Sequence, residues 1–186
     1  LVDAPAGYGK SFLLTEVVET FAARKGWQGV LVDLKSKPGM SSNQVQLARA
    51  AIANDIIEQV GTGSEFTSSM NAADINFGIC SLLHPLAQKL MLLFDGIEVL
   101  SPDTSNWLRD LINDLDNASR QIPGRELRVV LAGRYMRDWC DRARSGLRLL
   151  KLSPFDLAIV RPIVDNALNR SSLRGQKIAP SFVDAL

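Results

Sequence analysis

The chain has 186 residues, of which 46% are hydrophobic and 22% are charged, proportions typical of globular proteins. This length is sufficient for one domain with a substantial core. No apolar run approaches the roughly 20 residues that a membrane-spanning helix requires, so the composition excludes a protein that crosses the bilayer. Cys80 and Cys140 lie far apart without CxxC spacing, which indicates neither a disulfide framework nor a zinc site. We therefore expect a cytoplasmic protein.

The net charge of +1 is unevenly distributed along the chain. Residues 1–119 contain 8 Lys or Arg and 14 Asp or Glu, whereas residues 120–186 contain 13 and 6. Such an excess is compatible with a nucleic-acid surface or with a solvated face. We favour the solvated face, because the arginines are scattered and the three tryptophans are not interleaved with them.

Hydrophobic periodicity predicts alternating strands and helices. Leu1 to Asp3 alone precede a glycine-rich loop that normally follows a buried strand, so we expect either a trimmed start or a fragment of a longer protein. Predicted helices cover residues 12–25, 43–60, 73–86 and 107–119, and predicted strands cover residues 30–34, 90–95, 127–132 and 147–152. Residues 61–73 are predicted to form a polar surface loop. This alternation favours an α/β fold with a mostly parallel, five-stranded sheet flanked by helices.

A glycine-rich phosphate-binding loop, Ala-Pro-Ala-Gly-Tyr-Gly-Lys-Ser, occupies residues 4–11. Gly7 and Gly9 permit close backbone approach, and the next helix presents N–H groups and its positive dipole end to an anion. Lys10 is predicted to reach the outer phosphates, and the Ser11 hydroxyl to ligate magnesium. The loop departs from the usual pattern at Ala4, where the first glycine is expected. We predict that ATP or a related purine triphosphate, with Mg²⁺, is bound by Ala6, Gly7, Tyr8, Gly9, Lys10, Ser11 and Phe12.

Two carboxylates lie at the end of the predicted strand at 90–95. Asp95 ends the strand, and because ligands gather at the carboxyl ends of parallel strands, we expect it beside Ser11, holding magnesium through water. Glu98 is the candidate that positions or deprotonates an attacking water. Many hydrolysing relatives place glutamate directly after the aspartate, where this chain has Gly96. An exposed charge at the start of a helix is therefore the alternative role for Glu98.

Arg134 follows the predicted strand at 127–132 through Gly133. It is expected to emerge at the same sheet edge as Asp95, where a guanidinium can contact the γ-phosphate. The alternative is one surface arginine among many.

Together these motifs resemble the STAND class of P-loop NTPases, and within it the bacterial NACHT-like and regulator ATPases. The resemblance rests on the phosphate loop at 4–11, the acidic motif at 92–98 and the strand–arginine element at 131–134. It implies that a helical lid begins near Ser153, with Pro154 near the nucleotide base. We accordingly divide the chain into a P-loop nucleotide-binding domain at residues 1–152 and the start of a lid subdomain at residues 153–186.

The resemblance also implies a function. In such switches, nucleotide exchange opens a closed monomer, which self-associates and activates an effector; the effector and sensor domains would lie outside this chain. Val99 departs from the NACHT pattern, in which a second acidic residue often follows the position of Glu98, and this favours slow hydrolysis. We predict an ATP-binding, slowly hydrolysing switch in a signal-transduction protein.

Two other functions stay open at this point. A DNA-linked ATPase of the origin-recognition or AAA+ type uses similar motifs and would explain the arginines, so nucleic acid is a possible but less favoured partner. A small-molecule kinase built on the same loop would need an acceptor pocket and usually an arginine-rich lid.

Overall fold

The computed structural model describes residues 1–22, 25–40, 44–83, 89–134, 136 and 150–152. The predicted lid subdomain at 153–186, with Pro154, lies outside the described residues. Among the described residues, no helix has the length and apolar character needed to cross a membrane.

One sheet forms the centre of the fold. Its strands are β1 (Val2–Asp3), β2 (Gln28–Asp33), β3 (Lys89–Asp95), β4 (Glu126–Gly133) and β5 (Leu150–Lys151). They lie in the order β2-β3-β4-β1-β5, and every neighbouring pair is parallel. The predicted α/β fold with five strands is confirmed, and the sheet is parallel throughout rather than mostly parallel.

Helices connect the strands. They are α1 (Lys10–Glu16), which continues as a π-helical segment (Val17–Ala22), α2 (Val45–Val60), α3 (Ala72–Leu83) and α4 (Pro102–Arg120). The predicted start of the last helix, at 107, was wrong. Ser101 caps α4 by accepting a hydrogen bond from the Thr104 N–H at 3.3 Å, and Pro102 stands in the first turn. Both are ordinary helix-start residues.

Strand β3 is covered on both faces, as its uninterrupted apolar run predicts. Leu92 and Phe94 belong to the larger core, which α2, α3 and α4 complete. Leu93 belongs to a smaller core on the other face, where it lies with Leu14 of α1. Because successive side chains of a strand point to opposite faces, Asp95 faces the α1 side with Leu93. This alternation decides which helix Asp95 meets.

The edge strand β2 is protected by a side chain. The Gln59 amide of α2 accepts a hydrogen bond from the Leu31 N–H and donates one to the Leu31 carbonyl, both at 2.9 Å. Gln59 thus takes the place of a neighbouring strand at one residue and limits edge-to-edge pairing.

The predicted loop at 61–73 is shorter than expected, since α3 begins at Ala72. The Asn54 side chain of α2 accepts from the Phe66 N–H at 2.7 Å and donates to the Phe66 carbonyl at 2.9 Å. Phe66 is buried in the larger core. The loop is therefore attached to the core rather than wholly superficial.

Candidate functional site

The glycine-rich loop joins β1 to α1 and requires its glycines for conformation. Gly7 has φ +81°, and Gly9, which precedes the first turn of α1, has φ +74°. Residues other than glycine rarely adopt this left-handed backbone conformation. The turn therefore carries the loop into the helix with the helix start at the carboxyl edge of the sheet.

Lys10 is buried at the base of the loop, with 6% of its surface exposed. Its Nζ donates to the carbonyls of Ala4, at 2.6 Å, and Pro5, at 2.7 Å. An ammonium group has three donors, so one can serve an incoming anion. Burial lowers the pKa of Lys10, and the negative charge of Glu98 partly offsets that effect.

Ser11 and Asp95 meet although their elements are not neighbours. The Ser11 hydroxyl donates to Asp95 Oδ2, yet β4 lies between β1 and β3. Ala132 of β4 is paired with both Val2 and Asp95 and belongs to the core on the α1 side. The contact between Ser11 and Asp95 therefore lies on the α1 face of the sheet, at the level of Ala132.

The residues at this point fit a magnesium ion. Asp95 is only 5% exposed, and its Oδ1 is buried without a hydrogen-bond partner. A buried carboxylate oxygen without a partner is costly unless a cation or a donor meets it. Magnesium prefers oxygen ligands and uses one or two carboxylates together with phosphates and waters. The Ser11 hydroxyl and the Asp95 carboxylate provide that donor set.

Glu98 and Arg134 form a pair at the same edge. Glu98 lies in the 3-10 turn Ile97–Val99, where Oε2 accepts from the Arg134 backbone N–H and Oε1 from its Nε, both at 3.2 Å. A Cβ on Gly133 would lie 2.9 Å from Oε2, so glycine makes room for this approach.

The charge state of Glu98 follows from its contacts. Burial by itself raises the pKa of Glu98, but hydrogen bonds from its own backbone region and from Arg134, with the charge of Lys35 nearby, outweigh burial and lower it. The carboxylate is therefore ionised at neutral pH and is a weak proton acceptor.

Lys35 is a site residue that the sequence analysis missed. It lies in the 3-10 turn Leu34–Ser36, directly after β2. Its Nζ is 3.9 Å from Asp95 Oδ2 and 4.0 Å from Glu98 Oε1. The carboxyl end of β2 shares the sheet edge with Asp95, and that position was the signal available in the sequence.

These side chains enclose one cavity of about 340 Å³. Lys35 lines it together with most of the predicted residues, namely Ala6, Gly7, Gly9, Lys10, Ser11, Phe12, Glu98 and Arg134. Asp95 does not line the cavity itself but is joined to it by the hydrogen bond from Ser11. Phe12 is 72% exposed at the rim, and Tyr8 is half-buried in the loop without lining the cavity. Pro154, predicted near the base, lies outside the described residues.

Comparison with known proteins identifies the fold. No protein-family model and no curated protein matches the chain. A structure of the Aeropyrum pernix ORC1 protein in complex with DNA is similar, with a TM-score of 0.61 and 16% sequence identity. The match covers 89% of this chain but only 42% of that chain. Identity this low shows the fold alone. The chain has the α/β fold of P-loop NTPases.

We predict that Gly133→Ala destabilises the protein through Glu98. The new methyl would crowd Oε2, and because the backbone of Gly133 is outside the left-handed region, little other strain is added. Overpacking of this kind lowers the free energy of unfolding by about 1–3 kcal/mol. Urea unfolding of Gly133→Ala, Glu98→Ala and the double variant should show a smaller cost in the Glu98→Ala background. An equal cost in both backgrounds would assign the crowding to Met136, whose Sδ lies 3.0 Å from the same position.

Proposed function

We propose that the chain is a nucleotide-binding module that binds ATP with magnesium and hydrolyses it slowly. The observation that carries this proposal is the cavity in which Lys10, Ser11, Glu98 and Arg134 converge above the buried Asp95. These residues come from three places in the chain, namely the start of α1, the turn after β3 and the position after β4. The cavity therefore does not arise from the loop sequence alone.

Each residue has a proposed part in binding. The loop N–H groups and Lys10 contact the phosphates, and Ser11 with Asp95 holds magnesium, which neutralises phosphate charge when it is bound. The proposed role of Arg134, which lines the cavity, is to contact the γ-phosphate, and Phe12 lies exposed at the rim. The orphaned Oδ1 of Asp95 supports the metal assignment most directly.

Slow turnover is supported by the contacts of Glu98. Both of its carboxylate oxygens accept hydrogen bonds from Arg134, and its pKa is lowered. While it is paired with Arg134, the carboxylate is a weak base, which makes it a poor acceptor for the proton of an attacking water. Slow hydrolysis of this kind suits a switch better than a fast enzyme.

The finer proposal is a STAND-type switch of the NACHT-like kind. It rests on the motifs at 4–11, 92–98 and 131–134. In this proposal residues 1–152 bind ATP or ADP, residues 153–186 begin the lid with Pro154 near the base, and nucleotide exchange drives self-association in the cytoplasm. The effector and sensor domains belong to other parts of the polypeptide. ADP retained after gentle purification would support this switch.

A DNA-linked ATPase is the second candidate. It is favoured by the likeness in fold to the ORC1 protein, whose structure is a complex with DNA, and by the basic excess in residues 120–186. Fluorescence anisotropy with a labelled duplex, repeated at rising salt, separates the candidates. Affinity that falls steeply with salt supports DNA binding by counterion release.

Asp95→Asn is predicted to remove most of the effect of magnesium on ATP binding. The amide keeps the shape but loses the charge that attracts the ion. The ratio of ATP affinities with and without magnesium should fall by roughly 10- to 100-fold, by analogy with other losses at metal sites. Calorimetry measures both affinities, and Asp110→Asn on the exposed face of α4 is the control. Equal weakening with and without magnesium would argue against a metal role for Asp95.

Glu98→Gln is predicted to lower an already slow rate while ATP affinity stays within a few fold. The wild-type chain should turn over well below about 10 per second, the median for enzymes. Water positioning stabilises the transition state more than the ground state, which separates the two effects. Single-turnover hydrolysis and calorimetry test both, with the exposed Glu65→Gln as control. Rapid turnover that Glu98→Gln leaves unchanged would favour another catalytic arrangement.

A further inference from the structure

Lys35 approaches Asp95 and Glu98 from the turn that follows β2. Its turn is fixed by Asp33, whose Oδ1 accepts from the Lys35 N–H at 3.1 Å. Asp33 is paired in register with Asp95, so Lys35 starts two residues beyond the level of that carboxylate. Its ammonium group ends 3.9 Å from Asp95 and 4.0 Å from Glu98. One side chain thus approaches both carboxylates of the site.

The aliphatic part of the Lys35 side chain packs against Gly96. A Cβ at Gly96 would lie 2.8 Å from Lys35 Cγ and 2.9 Å from Cε. Any side chain at 96 would therefore occupy the path of the lysine. Gly96 also has φ +84°, which independently suits glycine. Glycine at 96 thus leaves the space in which Lys35 lies near Asp95 and Glu98.

The charges around the cavity favour a role for Lys35 in competition with a metal ion. Lys10 and Arg134 already have partners in the loop carbonyls and in Glu98. Within the part of the chain that the structure describes, Lys35 Nζ makes ion pairs at 3.9 and 4.0 Å but no hydrogen bond, and 43% of its side chain is exposed. It is therefore the most easily moved of the three cations. Asp95, one of the two oxygen donors of the proposed metal site, lies 3.9 Å from the Lys35 ammonium group.

We propose that Lys35 is a tethered cation that competes with magnesium for Asp95. The inference rests on the proposed function and adds Lys35 to the residues that determine how ATP binding depends on magnesium. Without magnesium, the ammonium group offsets the carboxylates that would otherwise repel a polyphosphate. With magnesium, the same group must yield its place, which weakens the apparent affinity for the metal. The site therefore retains nucleotide without metal better than a site built from Asp95 and Glu98 alone.

The test is Lys35→Met in the 186-residue chain, since methionine keeps most of the stem and removes the charge. Calorimetry gives the ATP affinity with saturating magnesium and with EDTA. Metal-free affinity should fall, and the ratio of affinities with and without magnesium should rise by roughly 2- to 5-fold, a range typical of partly exposed charge contacts. The magnesium concentration for half-maximal effect should fall in the same variant. Asp95→Asn is expected to change the ratio in the opposite direction.

Lys35→Arg is the matched control, because it restores the positive charge and should return the ratio toward the wild-type value. A ratio that Lys35→Met leaves unchanged, while the wild type binds ATP in a magnesium-dependent way, overturns the role of Lys35 and leaves the proposed function standing. Equal weakening under both conditions would show that Lys35 only supports the structure. Absence of ATP binding in the folded wild type would overturn the proposed function and the inference together.

Discussion

The contact between the Ser11 hydroxyl and the Asp95 carboxylate is the interaction on which the arrangement of the site depends. It joins the start of α1 to the end of β3 across the intervening β4. The contact requires that Asp95 face the α1 side of the sheet, which the alternation of side chains along β3 provides. Strand register and side-chain alternation thus act together to place a hydroxyl and a buried carboxylate at one point.

Around that contact, the other charged side chains form ion pairs with one another. Glu98 accepts from Arg134 while Lys35 lies near both carboxylates. Ion pairs with an exposed partner contribute little to stability. We therefore expect these pairs to matter mainly for ligand binding and hydrolysis. In the proposed function, the pair with Arg134 keeps Glu98 a weak base, and Lys35 competes with magnesium at Asp95. Both effects would suit a site that binds nucleotide and hydrolyses it slowly.

Much of the fold was predictable because its signals are local. The glycines and Lys10-Ser11 occur within eight residues, and the apolar run of β3 ends visibly at Asp95. The confirmed sheet of five strands follows from the alternation of periods. The order of the strands was not predicted, because it depends on contacts between residues far apart in the chain.

The misses have different physical causes. The start of α4 was readable from Ser101 and Pro102, but the apolar period begins only at Trp107. Lys35 was missed because one lysine in a polar turn resembles any solvated residue. Its role depends on the register of β2 against β3 and on the space above Gly96, and neither can be read from composition.

The most direct test of the account is calorimetric titration of the wild-type chain and of Lys10→Met with ATP and magnesium. Lys10 is buried among the loop carbonyls and faces the cavity, so removal of its charge should weaken ATP binding by roughly 10- to 100-fold, as expected for hydrogen bonds to a charged group. The exposed Lys25→Met should bind as the wild type does. The account predicts saturable, magnesium-dependent binding that Lys10→Met largely removes while circular dichroism shows an intact fold. Equal ATP affinity in the folded Lys10→Met variant would contradict it.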